Sequence, residues 1–471
     1  MAGAANTVGK GGPTEIQKLA QLAHAVRFED LPAEVVVRAK LHVLDTLGCA
    51  YGAHDSEVAH AVRKMAADCG GSAQATLIGS GGRTSAPLAA LVNGSLLRFL
   101  DGNDYYFSRD PAHPSGNLAA ILAAGEREGR SGRDLIAALV AAYEVQLRLC
   151  DCAGTPSLWK RGWHHATNAQ FSTAAAASRL FGNSVEQTAH AMAIAGSQQN
   201  TLAQLQSGSI SMIKATAEAW VAKGGVEAAL LARHGVTGPM TLLEGHAGYA
   251  AIVAGEVDFG ALSAPLDGRY RLMETSIKPY PVVATAVAPV RAAIELHRAG
   301  LPDVAEIEKL IVRLPRFALN TPSADAGRRF PANIESAQHS FYFCAAIALL
   351  EGACGEAQFI DAKYTDPAIR QLLEKVELAE DPAFNELWPQ SAGGGIEVRL
   401  RSGAKLAHAC PYPPGHPRNP LSEEELAHKF YGYAEPVLSR TGAESLYRAV
   451  LRLEECADLR EFATLLAPPQ T

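Results

Sequence analysis

Four short stretches of this chain concentrate side chains able to move protons or stabilise negative charge. The first runs Asp101-Gly-Asn103-Asp104-Tyr105-Tyr106 and continues to His113-Pro-Ser115-Gly-Asn117. Carboxylates, phenols and an imidazole close together in an inter-helix loop are the equipment of general acid–base chemistry. The same stretch also fits an Asp/Asn-rich turn ahead of a helix capped at Ser115. The second place is Arg161-Gly-Trp163-His164-His165-Ala-Thr167. Adjacent histidines usually face different ways, so they supply a proton carrier more readily than a shared metal site. Third is Lys214, an isolated cation opening an Ala-rich apolar helix, for which a solvent-facing lysine is the plain alternative. Fourth is Lys278, held between Ile277 and the Pro279-Tyr280-Pro281 run at an inferred domain junction, where ligand clefts commonly form.

Helices must position most of these groups. Residues 15 to about 255 read as helix after helix. Pro32 and Glu34 open one whose stripe is Val36, Val37, Leu41, Val43, Leu44 and Leu47. Ser131 with Asp134, and Ser184 with Gln187, form capping boxes at the starts of others. After about residue 275 the period changes. Leu310, Val312 and Leu314 alternate with Ile311 and Arg313, and Ile396, Val398 and Leu400 alternate with Glu397, Arg399 and Arg401, which predicts strands. Helical stretches are expected at 282–299 and 336–352. Prolines from Pro411 to Pro420 then lead to a capping box at Ser422 and Glu425 and a return to helix. The expected fold is mainly α: a large all-helical domain (1–275 and 413–471) interrupted by a smaller α+β lid domain (276–412).

A chain of 471 residues exceeds the roughly 250–300 that one core accommodates, which agrees with two domains. Its net charge is −7 and no Lys/Arg run appears, so no nucleic-acid partner is expected. No stretch reaches the about 20 apolar residues of a membrane span, and the polar first 13 residues do not read as a signal peptide, so a cytoplasmic location is expected. Eight scattered cysteines include no C-x-x-C pair; Cys150 and Cys152 around Asp151 would need two further ligands to hold a metal. Dinucleotide and phosphate loops are missing too, so neither a cofactor nor a metal is expected.

Together the motifs resemble the MmgE/PrpD family. The Asp101–Tyr105 and His113-Pro-Ser115 stretches are similar to its D-x-x-D-T and HPS elements, with a spacing like that of 2-methylcitrate dehydratases. Gly162-Trp163-His164, Ser211-Met-Ile-Lys214, Lys278-Pro-Tyr280-Pro281, Leu44-Asp45-Thr46-Leu47-Gly48 and His339-Ser340-Phe341 follow in the family's order. The resemblance implies a cofactor-independent lyase, 2-methylcitrate dehydratase-like, that forms a carbanion beside a carboxylate of a small polycarboxylic acid, and a homodimer. A decarboxylase or epimerase of a related acid, or a helical binding protein without activity, are the alternatives. By the same resemblance, Asp101, His113, His164, Lys214 and Lys278 are catalytic, and Asn103, Asp104, Tyr105, His165 and Tyr342 contact substrate. Lys278 is expected at the rim of the cleft. Three departures from the family pattern stand out: Tyr105 for Thr, Val283 where decarboxylases share a His, and Phe343 for a Tyr with Tyr342 beside it.

Overall fold

A computed structural model describes residues 12–154, 158–198, 200–300 and 303–468. Most of the polar N-terminal stretch, residues 1–11, lies outside the described residues. The chain is mainly α with a small sheet-containing domain. Ala33–Gly52, Glu57–Cys69, Ala86–Phe99, Leu118–Glu128, Gly132–Cys152, Ala166–Phe181, Val185–Gln198 and Ile213–Arg233 are among the helices of the first part. Local signals start several of them. Ser131 Oγ accepts from the Asp134 amide while Asp134 reaches back to the Ser131 amide, and Ser184 and Gln187 do the same.

Two glycines set how closely the central helices approach. A Cβ on Gly94 would stand 2.9 Å from the Ala219 Cβ, and one on Gly225 would stand 2.3 Å from Thr173 Oγ1. Ala86–Phe99 and Ala166–Phe181 therefore both lie tightly against Ile213–Arg233, and larger residues at these positions would force them apart. One consequence is that Arg98, a turn after Gly94, comes beside Glu218.

The sheet has the order Val376–Glu380, Ile307–Leu314, Gly394–Leu400, Lys405–Cys410, with the first pair parallel and the others antiparallel. Both expected strands are present, and two more flank them. Lys405–Cys410 is mostly exposed and Val376–Glu380 is short, so neither carries the alternation that betrays a half-buried strand. The helical stretch at 336–352 is two helices, Ile334–Gln338 and Phe341–Glu351. Ser340 breaks it, with its hydroxyl donating to the Arg328 carbonyl and accepting from the Phe343 amide. The helix expected at 282–299 runs Val287–Arg298, after a single turn at Ala284–Ala286.

Buried apolar side chains fall into two large clusters. One joins residues between Ile16 and Ile277 to residues between Leu426 and Leu466; the other lies between Val282 and Val398. The C-terminal helix Glu423–Leu451, interrupted at Ser439 (φ 65°), packs on Ala33–Gly52. From it Lys429 Nζ reaches Asp45 Oδ1 at 2.5 Å, the Gly102 carbonyl at 2.6 Å and the Lys278 carbonyl at 2.7 Å. This helix thus holds the backbone beside Asp101 and at Lys278.

Candidate active site

Asp101 is the hub. It follows the helix Ala86–Phe99 in a left-handed conformation (φ 52°), which aspartate tolerates better than most residues, and is 2 % exposed. Its carboxylate lies 3.1 Å from Lys214 Nζ, 3.2 Å from Lys278 Nζ, 3.4 Å from Arg98 Nη2 and 3.6 Å from His339 Nε2. The two lysines differ. Lys278 Nζ also donates to the carbonyls of Asp101 (2.5 Å) and Val282 (3.0 Å), so two of its protons are already taken by the backbone. Lys214 Nζ makes no aligned hydrogen bond and keeps donors free. Lys278, expected at the rim, is fully buried behind Asp101: Pro279 and Pro281 turn the chain so that its head points inward.

A cavity of about 630 Å³ opens beside this cluster, lined at its deeper wall by Asp101, His113, His165, Thr285, Arg328 and His339. His113 Nδ1 donates to the Asp104 carbonyl at 2.6 Å, which leaves the lone pair of the neutral ring on Nε2. The His165 ring lies against His164, with centroids 3.8 Å apart and planes tilted by 39°, and 5.0 Å from the His113 ring. Of the adjacent pair it is His165 that lines the cavity. His164 sits behind it, accepting from the Ala166 amide through Nδ1. Glu218, one turn along the helix from Lys214, lies 2.8 Å from Arg98 Nε and 3.2 Å from His165 Nε2.

The structure thus brings Asp101, His113, His164, His165, Lys214 and Lys278 into one cluster. Tyr105 also faces the cavity, its backbone paired to Ser276. Lys214, Lys278 and His164 stand behind the lining, in contact with Asp101 or His165, and Asn103, Asp104 and Tyr342 are not part of it either. Asn103 is held between Arg98 and Ser115, and Asp104 accepts from the Tyr143 hydroxyl (2.6 Å) and the Ser115 amide (3.1 Å) beside His42. These two brace the loop that carries Asp101 and His113. Tyr342 donates to the Ala324 carbonyl and lies under the Arg329 guanidinium.

Sequence reasoning missed Arg98, Glu218, Thr285 and Arg328 as site residues. Arg98 and Glu218 had a usable signal, since each is a charge on an otherwise apolar helix face, the same signal that marks Lys214. Thr285 and Arg328 stand in irregular segments and had none. Both keep a buried atom without a protein partner, Thr285 Oγ1 and Arg328 Nη1, in side chains 3 % exposed.

A model of the MmgE/PrpD N-terminal domain matches residues 17–261, and one of the MmgE/PrpD C-terminal domain matches residues 280–455. The chain belongs to the MmgE/PrpD family. It is 30 % identical to cis-aconitate decarboxylase from Homo sapiens, covering 96 % of this chain and 94 % of that one. It is 24 % identical to 2-methylcitrate dehydratase from Salmonella typhimurium, covering 80 % and 81 %.

In this MmgE/PrpD enzyme, burial and neighbouring charge decide the protonation states. Burial alone would raise the Asp101 carboxyl, but Lys214, Lys278, His339 and Arg98 outweigh it and hold the group well below the usual carboxylate range. Asp101 is thereby a poor base and a strong anchor for cations. Burial, with Arg98 next, pushes His113 well below the usual histidine value and His165 down to about 3. Both imidazoles are neutral at pH 7. Burial also lowers Lys214, and lowers Lys278 to about 8 against the opposing pull of Asp101. Among the described residues, no group of three His, Cys, Asp or Glu side chains is placed to hold a metal ion. No described helix is long and apolar enough to cross a membrane.

Proposed function

We propose that this MmgE/PrpD protein is a lyase that makes a carbanion beside a carboxylate of a small polycarboxylic acid, with dehydration of a 2-methylcitrate-like hydroxy acid as its reaction. The observation that carries the reading is the charge of the cavity. In a chain of net charge −7, the cavity is lined by Arg109, Lys160, Arg316 and Arg328, and its one lining carboxylate, Asp101, is already surrounded by cations. Such a wall attracts a polyanion.

A proton next to a carboxylate is only weakly acidic, so a base must act together with preorganised positive charge. His113 Nε2 takes that proton, and Lys214, backed by Lys278 and Arg98, stabilises the charge that develops on the carboxylate. As the C–O bond breaks and the double bond forms, the departing hydroxide takes a proton from an imidazole. His113, now charged, returns it, since His165 is held neutral and has no acidic proton to give. Arg328 Nη1 and Thr285 Oγ1 hold a second carboxylate. Residues 276–412 form the lid of this reading, over a helical body of 1–275 and 413–471, in a cytoplasmic homodimer.

Decarboxylation is the second reading, favoured by the 30 % identity to a cis-aconitate decarboxylase. Against it, Val283, which lines the cavity, stands where a histidine is shared by decarboxylases. Incubation with citrate, 2-methylcitrate, cis-aconitate and aspartate-derived acids in deuterated water, followed by NMR, tests both. Loss of water or of CO2, with solvent deuterium entering the reacting carbon, is expected for one of them. Inertness toward every acid would leave a binding protein.

The pH profile of kcat/KM follows from the protonation states. The base must be unprotonated, and His113 and His165 are held neutral far below their usual range, so the acid limb should lie well below pH 6.5. Lys278 must be protonated, so activity should fall as pH rises through about 8. A profile still rising above pH 9 would separate Lys278 from catalysis.

A further inference from the structure

The cavity has a second wall that the lyase chemistry does not use. Phe317 and Trp388 stack with centroids 3.9 Å apart and planes 16° from parallel; Phe107 lies 4.9 Å from Trp388, and Tyr105 lies 5.2 Å from Phe107. All four line the same cavity as His113 and Arg328. Burial differs between the two walls. Asp101, His165, His339 and Arg328 are buried, whereas Phe107, Phe317 and Trp388 are half-buried, next to exposed Arg316 and Arg109. The reacting groups therefore form the floor and the aromatic faces lead toward the opening. At about 630 Å³ the cavity falls within the roughly 300–1,000 Å³ of pockets that take ligands of drug size. A small tricarboxylic acid seated at the floor would leave the aromatic faces against water.

We propose that the acid this site takes carries an apolar substituent larger than methyl, an alkyl chain or a ring, which lies against Phe107, Phe317 and Trp388 while its carboxylates meet Arg328, Thr285 and the histidines. Rings that the fold leaves facing a cavity gain stabilisation only when an apolar group covers them. The polar floor cannot accept such a group without stranding buried donors. The two walls thus fix the substrate's orientation, head inward and substituent outward. This inference rests on reading the site as one for polycarboxylates.

The test uses tricarballylate and its 2-methyl, 2-butyl and 2-hexyl derivatives, which have no hydroxyl to eliminate, with binding to the full-length protein read by calorimetry. Turnover of citrate and of the matching 2-alkylcitrates is measured in parallel. Each buried methylene should tighten binding about fourfold until the aromatic wall is covered. Trp388→Ala and Phe317→Ala should each flatten the series. If either variant does not fold, the wild-type series and Phe107→Leu still decide. Affinity that is flat or falls with chain length in the wild type would overturn the inference and leave the aromatic wall as a contact between the two parts of the fold. Turnover of short acids with a flat binding series would sink the substituent alone. Chain-length-dependent binding without turnover of any acid would uphold the substituent and sink the lyase reading. If no tricarballylate binds, both fall.

Discussion

Replacing Lys214 by alanine should slow turnover, and the entry of solvent deuterium beside the carboxylate, by about 10²–10³, the usual cost of one preorganised charge contact. Lys214 is buried, and its ammonium touches Asp101 at 3.1 Å without an aligned hydrogen bond, so it has donors to offer to charge that appears only during reaction. Its loss should therefore appear in kcat more than in KM. Lys278 makes the contrast, because it already donates to two backbone carbonyls and it acts through Asp101. Deuterium exchange at the wild-type rate in the Lys214→Ala protein would remove this lysine from the mechanism.

Asp101→Asn should cost about 3–5 kcal/mol of stability, the penalty of leaving buried charge uncompensated when one partner of a buried ion pair is removed. Asparagine keeps the left-handed backbone at φ 52°, so the substitution isolates the charge from the turn. Lys214, Lys278 and Arg98 would then stand together, with Glu218 beside the Arg98 guanidinium. A second readout is independent of folding. Asp101 opposes the burial that lowers Lys278 to about 8, so in the variant the lysine should lose its proton at still lower pH, and the alkaline limb should move down with it. A variant with the wild-type denaturation midpoint and an unmoved alkaline limb would show that Asp101 does not hold these cations.

The parts legible in the sequence were those whose causes are local. The caps at Ser131, Ser184 and Ser422 are satisfied within three residues, and each starts a helix where expected. Strands Ile307–Leu314 and Gly394–Leu400 sit inside the sheet and carry its alternation, whereas Lys405–Cys410 at the edge is mostly exposed and reads like a loop. At the site, Lys214 and Asp101 were legible through the family-like motifs that carry them, and once buried each needs partners. The identity of those partners was not, because Arg98 meets Glu218 only after Gly94 lets two helices close together. Arg328 donates to the Gln206 carbonyl, 122 positions away, and nothing near it in sequence marks it. The order of His164 and His165 around the cavity depends on which ring the start of helix Ala166–Phe181 turns inward, which adjacent positions cannot encode by spacing.

The bonds from Lys429 also make the site depend on a segment remote from it in sequence. The group that fixes the backbone at Gly102 and Lys278, and neutralises the buried Asp45 carboxylate, lies 327 positions from the first and 151 from the second. Local opening of the helix Glu423–Leu451 would therefore release both segments together and leave Asp45 without its cation.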